Sequence, residues 1–332
     1  MLTIPSSSPS DSFSYGGQAV IEGVMMRGRR TMAVSVRKPD GTIQTEVRPL
    51  GGIYQSRIAK IPVLRGVLLL WDTVGLGWES LEFSAQAQGE QPVSKGEWLV
   101  TILVSLAILV GVFFLLPTAL GQWTESGLGA LAVRWPAIPP WAPGLTGNLT
   151  EGAVRLILLI LYLVFVGRIP EIARVFAYHG AEHKTVHAYE AGAELTPEAV
   201  EAFAKEHPRC GTSFLVVVGV LAILLFALAG PMPFLWKIVT RLLGIPVLIA
   251  FGYEYLRLSA RVRNPALARA LAAPGVWAQS LTTRNPDRSM LEVAITALQA
   301  VRRAEEPQAE APAAAEETPP ANPPAEEPSN DG

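Results

Sequence analysis

Read as apolar and polar positions, the chain opens with short alternations, continues through long unbroken apolar runs and closes polar. Met32 to Arg37 alternates as a half-buried strand does, Pro39-Asp40-Gly41 is a turn signal, and Thr42 to Val47 alternates again. That pattern predicts a β-hairpin. Gln18-Ala19-Val20-Ile21-Glu22-Gly23 reads as a third strand. Residues 15–60 are therefore expected to form a small, water-facing β-rich module, behind a Ser/Pro-rich flexible N-terminus over residues 1–14.

Within residues 61–97, Ile61 to Trp71 is apolar but interrupted by Arg65 and followed by Asp72, Glu79 and Glu82, too short and charged for a span. They read as an amphipathic helix on the bilayer surface or packed under the spans, followed by a linker. The expected membrane domain, residues 98–256, holds about four spans. The first is Leu99 to Leu116, with Pro117 marking its far end, and a Trp/Pro/Gly-rich linker follows to Thr150. Trp123, Trp135 and Trp141 suit an interfacial belt. The second, from about Leu156 to Val166, is expected to continue as one helix through Ile169 to Tyr178, with Pro170 kinking it or starting a new helix. Phe214 to Gly230 is the third. Leu235 to Tyr255, interrupted by Lys237, Arg241 and Pro246, is the fourth. Residues 257–303 form a helical segment in which Ser289 and Glu292 make a capping-box pattern for a helix from Leu291 to Val301, its apolar face being Leu291, Ile295, Leu298 and Val301. The Ala/Pro/Glu stretch 304–332 reads as disordered tail. The fold class is thus mainly α, a multispanning helical membrane protein with a small β-rich N-terminal module.

Composition agrees: 50% of the 332 residues are hydrophobic and 17% charged, against about 25% charged in soluble domains. The lipid bilayer is the expected partner. A net charge of −2 gives no reason to expect nucleic acid, and protein partners or a homo-oligomer stay open. A single cysteine excludes an internal disulfide. The N-terminus lacks the pattern of a secretory signal. Lys and Arg crowd the N-terminal segment, residues 168–209 and the segment after Arg257, while the loop between the first two spans has only Arg134. The positive-inside rule then places both termini in the cytoplasm of a multi-pass protein. Lys237 and Arg241 fall on the wrong side and are expected to snorkel to the far interface.

Histidine is concentrated in one place. All four histidines and the only cysteine lie in the segment 178–212. His179, His183 and His187 recur at i, i+4, i+8, one stripe of a helix, and His207 and Cys210 follow a connector able to fold back on it. Neutral imidazole and thiolate suit a divalent metal, zinc first. His179-Gly180-Ala181-Glu182-His183 fits H-x-x-E-H, in which the two histidines hold the ion and Glu182 is the general base. Glu190, His207 and Glu254 are candidates for a third ligand. Packed histidines facing backbone or headgroups are the bland alternative, and an inert buried Cys210 is as natural as a ligand. The run Arg27, Arg29, Arg30 reads as a solvated loop or a phosphate grip, and Glu22 as a strand-end or site carboxylate.

The strings GGQAVIEGVMMRG at Gly16 to Gly28, PVLRG at Pro62, YHGAEHKTVHAYE at Tyr178, HPRCGTSF at His207 and LTTRNPD at Leu281 resemble a bacterial membrane family catalogued as domain of unknown function 1385, often labelled a predicted metal-dependent enzyme. The resemblance implies a multispanning inner-membrane protein with a metal site at His179, His183, His187, His207 and Cys210. The expected function is a zinc-type, hydrolytic enzyme acting at the cytoplasmic membrane face. A non-enzymatic scaffold with a structural metal, and a transporter or metal sensor, are the alternatives.

Overall fold

The structure, a computed structural model, describes residues 15–51, 61, 64–89, 94–207, 210–259, 262 and 264–306. The expected N-terminal tail and nearly all of the C-terminal one lie outside these. The chain is mainly helical with a four-stranded antiparallel sheet at its start, strand order β1-β2-β3-β4, from β1 (Gly16–Val20), β2 (Gly23–Arg27), β3 (Thr31–Arg37) and β4 (Ile43–Pro49). The β3–β4 hairpin is where the alternation places it, turning through Gly41 at φ 84°. The single strand expected over Gln18 to Gly23 is instead two strands meeting at a tight turn. Its pivot is Glu22, at φ 51°, a conformation costly for a side-chain-bearing residue.

Nor is the sheet water-facing. Val20, Met25, Met32, Val34 and Val36 pack on one side beneath Leu76 and Phe83 of α1 (Leu64–Ala87). Val24, Met26 and Ala33 pack on the other against α5 (Pro170–Glu190) and α10 (Arg288–Glu305). Strands covered on both faces need apolar residues at successive positions, which accounts for the run Val24-Met25-Met26. The predicted face of α10, Leu291, Ile295, Leu298 and Val301, is buried there. Its cap is Asp287, whose carboxylate accepts from the Met290 N–H, rather than Ser289. Glu292 pairs with Arg37 instead of closing a capping box.

Three helices are long and apolar enough to cross a membrane: residues 96–134, Ala142–Val166 (α4) and Phe234–Ser259 (α8). The expected third span, α7 (Gly211–Ala227), is apolar but only 17 residues long. Pro117 does not end the first span. The helix runs on from α2 (Lys95–Val110) through a π-helical turn, Gly111–Leu115, into α3 (Leu116–Arg134). Proline withdraws the N–H that would serve the Phe113 carbonyl, and the Arg155 Nε donates to that oxygen at 3.2 Å.

The expected Trp-rich linker is mostly helical too, because α3 and α4 form a close hairpin. A Cβ at Gly121 would stand 2.6 Å from the Gly147 carbonyl, and one at Gly147 2.7 Å from that of Gly121. Small residues let backbones approach this way. Pro170 starts α5 afresh at its first turn, ending any continuous helix from α4. Lys237 and Arg241 do not snorkel. Both are buried: Lys237 pairs with Glu125, and Arg241 donates to Glu151 at 3.1 Å and to the Asn148 amide oxygen at 2.7 Å. Burial without partners would cost several kcal/mol per charge, so the carboxylates of α3 and α4 hold them inside.

Candidate functional site

Helix α5 carries the histidine stripe and is fixed from both sides. Toward the sheet, the Arg174 guanidinium grips both oxygens of Glu22 at 2.5 Å, and the Tyr178 hydroxyl donates to the same carboxylate at 3.2 Å. That grip compensates the strained turn. The bond to Glu22 raises Arg174 above its ordinary value, and burial, reinforced by the Glu22 charge, raises Tyr178. Glu22 thus braces the turn against α5. Toward the C-terminal segment, Gly180 lies so close to the Arg284 carbonyl that a Cβ has no room. The Arg284 N–H bonds the Phe176 carbonyl at 2.9 Å, which draws residues 282–284 along the helix.

This arrangement sets the imidazoles. His179 Nδ1 is 2.9 Å from the Thr282 carbonyl oxygen, and His183 Nδ1 is 2.6 Å from that of Lys205. A carbonyl only accepts, so both Nδ1 atoms carry a proton, which leaves Nε2 as the atom of each ring with which a metal could be held. His179 Nε2 lies 3.2 Å from Cys210 Sγ. One ligand atom from each of His179, His183 and Cys210 falls within 4.8 Å of the others. Bonds of 2.0–2.3 Å to one zinc ion put tetrahedral ligands about 3.5 Å apart, so a small adjustment closes this set on one ion.

Cys210 caps α7, and its sulfur accepts from the Thr212 N–H at 3.4 Å, with the Thr212 hydroxyl at 3.1 Å. The start of a helix suits anionic sulfur.

The five expected ligands divide into two groups. His179, His183 and Cys210 converge. His187 and His207 face each other one turn on, ring centroids 4.6 Å apart, with His207 Nε2 3.5 Å from Glu190 and its ring 5.8 Å from that of His183. Glu190 and Glu254 are not among the converging donors. Glu182, the expected general base, is buried, its Oε2 3.5 Å from His183 Nε2.

The residues that orient the donors escape sequence reasoning. Thr282 and Lys205 act through main-chain carbonyls, which leave no compositional trace. Gln279 fixes His207 by accepting from its N–H and donating to its carbonyl, both at 2.7 Å. Lys184 reaches the Glu201 and Phe203 carbonyls, and burial lowers it below its ordinary value. The arginine run is no phosphate grip on its main chain, since the Glu305 carboxylate already takes the N–H groups of Arg30 and Thr31, at 2.6 and 3.1 Å.

The model of a family described as a protein of unknown function (DUF1385) matches residues 61–304, which contain every donor named above. The uncharacterized protein YqhQ of Bacillus subtilis (strain 168) is 32% identical over 310 residues, covering 88% of this chain and 93% of that relative. No solved structure matches. On both the family match and the extent of that likeness, the chain belongs to the DUF1385 family of proteins of unknown function.

Proposed function

We propose that the protein is a metal-dependent hydrolase of the bacterial inner membrane, with His179, His183 and Cys210 holding a divalent ion, zinc by donor type. The positive-inside distribution of Lys and Arg supports a cytoplasmic site and cytoplasmic termini. One observation carries the reading: both imidazoles spend their Nδ1 protons on main-chain carbonyls, and one ligand atom from each ring and the Cys210 sulfur lie within 4.8 Å of one another. Such carbonyl-anchored histidines are the usual second sphere of metal ligands. Two histidines and a cysteine fit zinc and leave a fourth position for water or substrate. When bound, the ion supplies Lewis acidity, polarising a substrate oxygen and acidifying water.

The chain's own residues do the rest. Glu182, beside His183, accepts a proton at Oε2 from the attacking water and returns it to the leaving group as the substrate bond breaks. Thr282 and Lys205 keep the rings from turning, and Thr212 holds the sulfur.

A specific observation favours a second reading, in which the metal is structural. His183 Nδ1 and Lys184 Nζ both fasten the connector through the carbonyls of Lys205, Glu201 and Phe203. A closed shell completed by His207 would pin it further.

Metal analysis of the detergent-purified protein tests both. We expect about one zinc per chain, a thiolate band in the Co²⁺ form, and loss of metal in His183→Ala and Cys210→Ser but not in Glu182→Gln. Protein without metal, or metal surviving both substitutions, overturns the proposal. Unfolding of the connector on chelation, read by limited proteolysis, selects the structural reading.

A further inference from the structure

At the end of α4 an open cleft of about 240 Å³ runs between that helix and the C-terminal turn of α9 (Pro265–Thr282). Leu163, Val164 and Leu281 supply apolar walls, and Arg168, Arg284 and Ser280 supply polar ones. The order along α4 fixes the direction of this gradient. Leu163 and Val164 belong to the last turns of a membrane-crossing helix, and Arg168 lies just past its end. Phe165 and Ile169 are exposed at the same level on one side, Trp277 on the other, where aromatic side chains mark a membrane–water boundary.

Both arginines are exposed, and among the described residues neither is ion-paired with a carboxylate. Among the described residues each guanidinium makes one hydrogen bond, to a carbonyl at the end of α4: Arg168 to Val164 at 3.1 Å, and Arg284 to Gly167. Capping those carbonyls explains one donor of five on each. Both guanidinium-bearing residues line a cleft whose other end is apolar, Arg168 also lying over the Phe165 ring at 5.8 Å and the Arg284 main chain being anchored on Phe176.

We propose that this cleft seats the phosphate of an anionic phospholipid from the adjoining leaflet, with the acyl chains along Leu163, Val164 and Leu281. Two positive charges at the headgroup level attract anionic lipid and match phosphate geometry. A free phosphate would leave the apolar walls in water, so the lipid is the occupant that satisfies both ends. The site stands independently of the metal reading. It does adjoin that centre, because Thr282, whose carbonyl orients His179, sits between the lining residues Leu281 and Thr283. A headgroup bound here lies beside the candidate active site.

Photo-crosslinking tests it. The full chain is reconstituted in phosphatidylcholine vesicles with a trace of photoactivatable phosphatidylglycerol, or of the matching phosphatidylcholine probe, and adducts are mapped by peptide mass spectrometry. We expect phosphatidylglycerol adducts at residues 163–168 and 280–284, well above those of phosphatidylcholine. Arg168→Gln should lower them roughly fivefold, and Arg168→Lys should retain most of them. Among the described residues the hydrogen bond and ring contact of Arg168 are to Val164 and Phe165 of its own helix, so that variant remains decisive if Arg284→Gln fails to fold. Equal labelling by the two probes, or labelling indifferent to Arg168→Gln, overturns the proposal. So does loss of labelling to inorganic phosphate but not to chloride at equal ionic strength, which would identify a site for soluble anions.

Discussion

Two buried polar clusters lie at opposite ends of α7, and they are wired in opposite ways. At its start, around Cys210, the groups are imidazoles and a sulfur: each ring's Nδ1 is tied to a main-chain carbonyl, and one ligand atom from each residue lies within 4.8 Å of the others. Beyond its other end, where the Asn148 amide donates to the Ala229 carbonyl at 2.6 Å, the groups are full charges answered by opposite charges: Lys237 by Glu125, and Arg241 by Glu151. Arg155 adds a further donor to Glu151 at 2.9 Å. The second cluster closes on itself and asks for nothing. The first gathers one possible ligand atom from each of three residues, the grouping on which the proposed cation site rests. Burial of polar groups alone therefore does not mark a site; the gathering of possible ligand atoms does.

That contrast can be broken experimentally. The largest effect should come from the closed cluster. Arg241→Ala leaves Glu151 and Asn148 buried without their main partner and should cost about 3–5 kcal/mol, read as lost folded yield or lower resistance to denaturing detergent. Glu151→Gln in the same chain should recover part of it. Full stability of Arg241→Ala would show that the network is not what holds α8.

Gly180→Ala comes next. The added methyl meets the Arg284 carbonyl and must push residues 282–284 away, at about 1–3 kcal/mol. Because Thr282 orients His179, zinc affinity should fall along with the melting temperature, whereas Arg241→Ala in its surviving folded fraction should bind metal normally. A Gly180→Ala protein with unaltered metal affinity would uncouple the two.

The smallest effect belongs to a surface device with no part in either cluster. Asp287→Ala removes the α10 cap and should cost about 1 kcal/mol. Burial pushes the Asp287 carboxyl up, but the Ser289 hydroxyl and the Met290 and Ser289 N–H groups outweigh it and hold it below the ordinary range. Its contribution is therefore complete above about pH 4 and lost as pH falls through the depressed folded value. Melting curves of the parent and Asp287→Asn should accordingly converge in acid and separate near neutrality.

What the sequence reveals follows the range of the interactions involved. The β3–β4 hairpin, the α10 face and the histidine stripe are set by neighbours a few positions apart, and periodicity exposes them. The break at Glu22 depends on Arg174, 152 residues away, and a strand pattern continues through it unmarked. Pro117 signals a helix end by every local rule. It is overruled by an arginine 42 positions away from the carbonyl that the proline orphans. Lys237 and Arg241 look misplaced until the carboxylates of the α3–α4 hairpin are beside them. Within the site, the residue types that converge are visible in advance. Which of five would meet is not, because His187 and His207 pair with each other through a fold-back whose geometry depends on Gln279.

The closed cluster also sets an order of assembly. Glu125 precedes Lys237 by 112 residues and Glu151 precedes Arg241 by 90, so a chain emerging from the ribosome presents its acids long before its bases. Until α8 arrives, Glu125 lacks its lysine and Glu151 is answered by Arg155 of its own helix alone. The network is thus complete only when α8 packs against the α3–α4 hairpin.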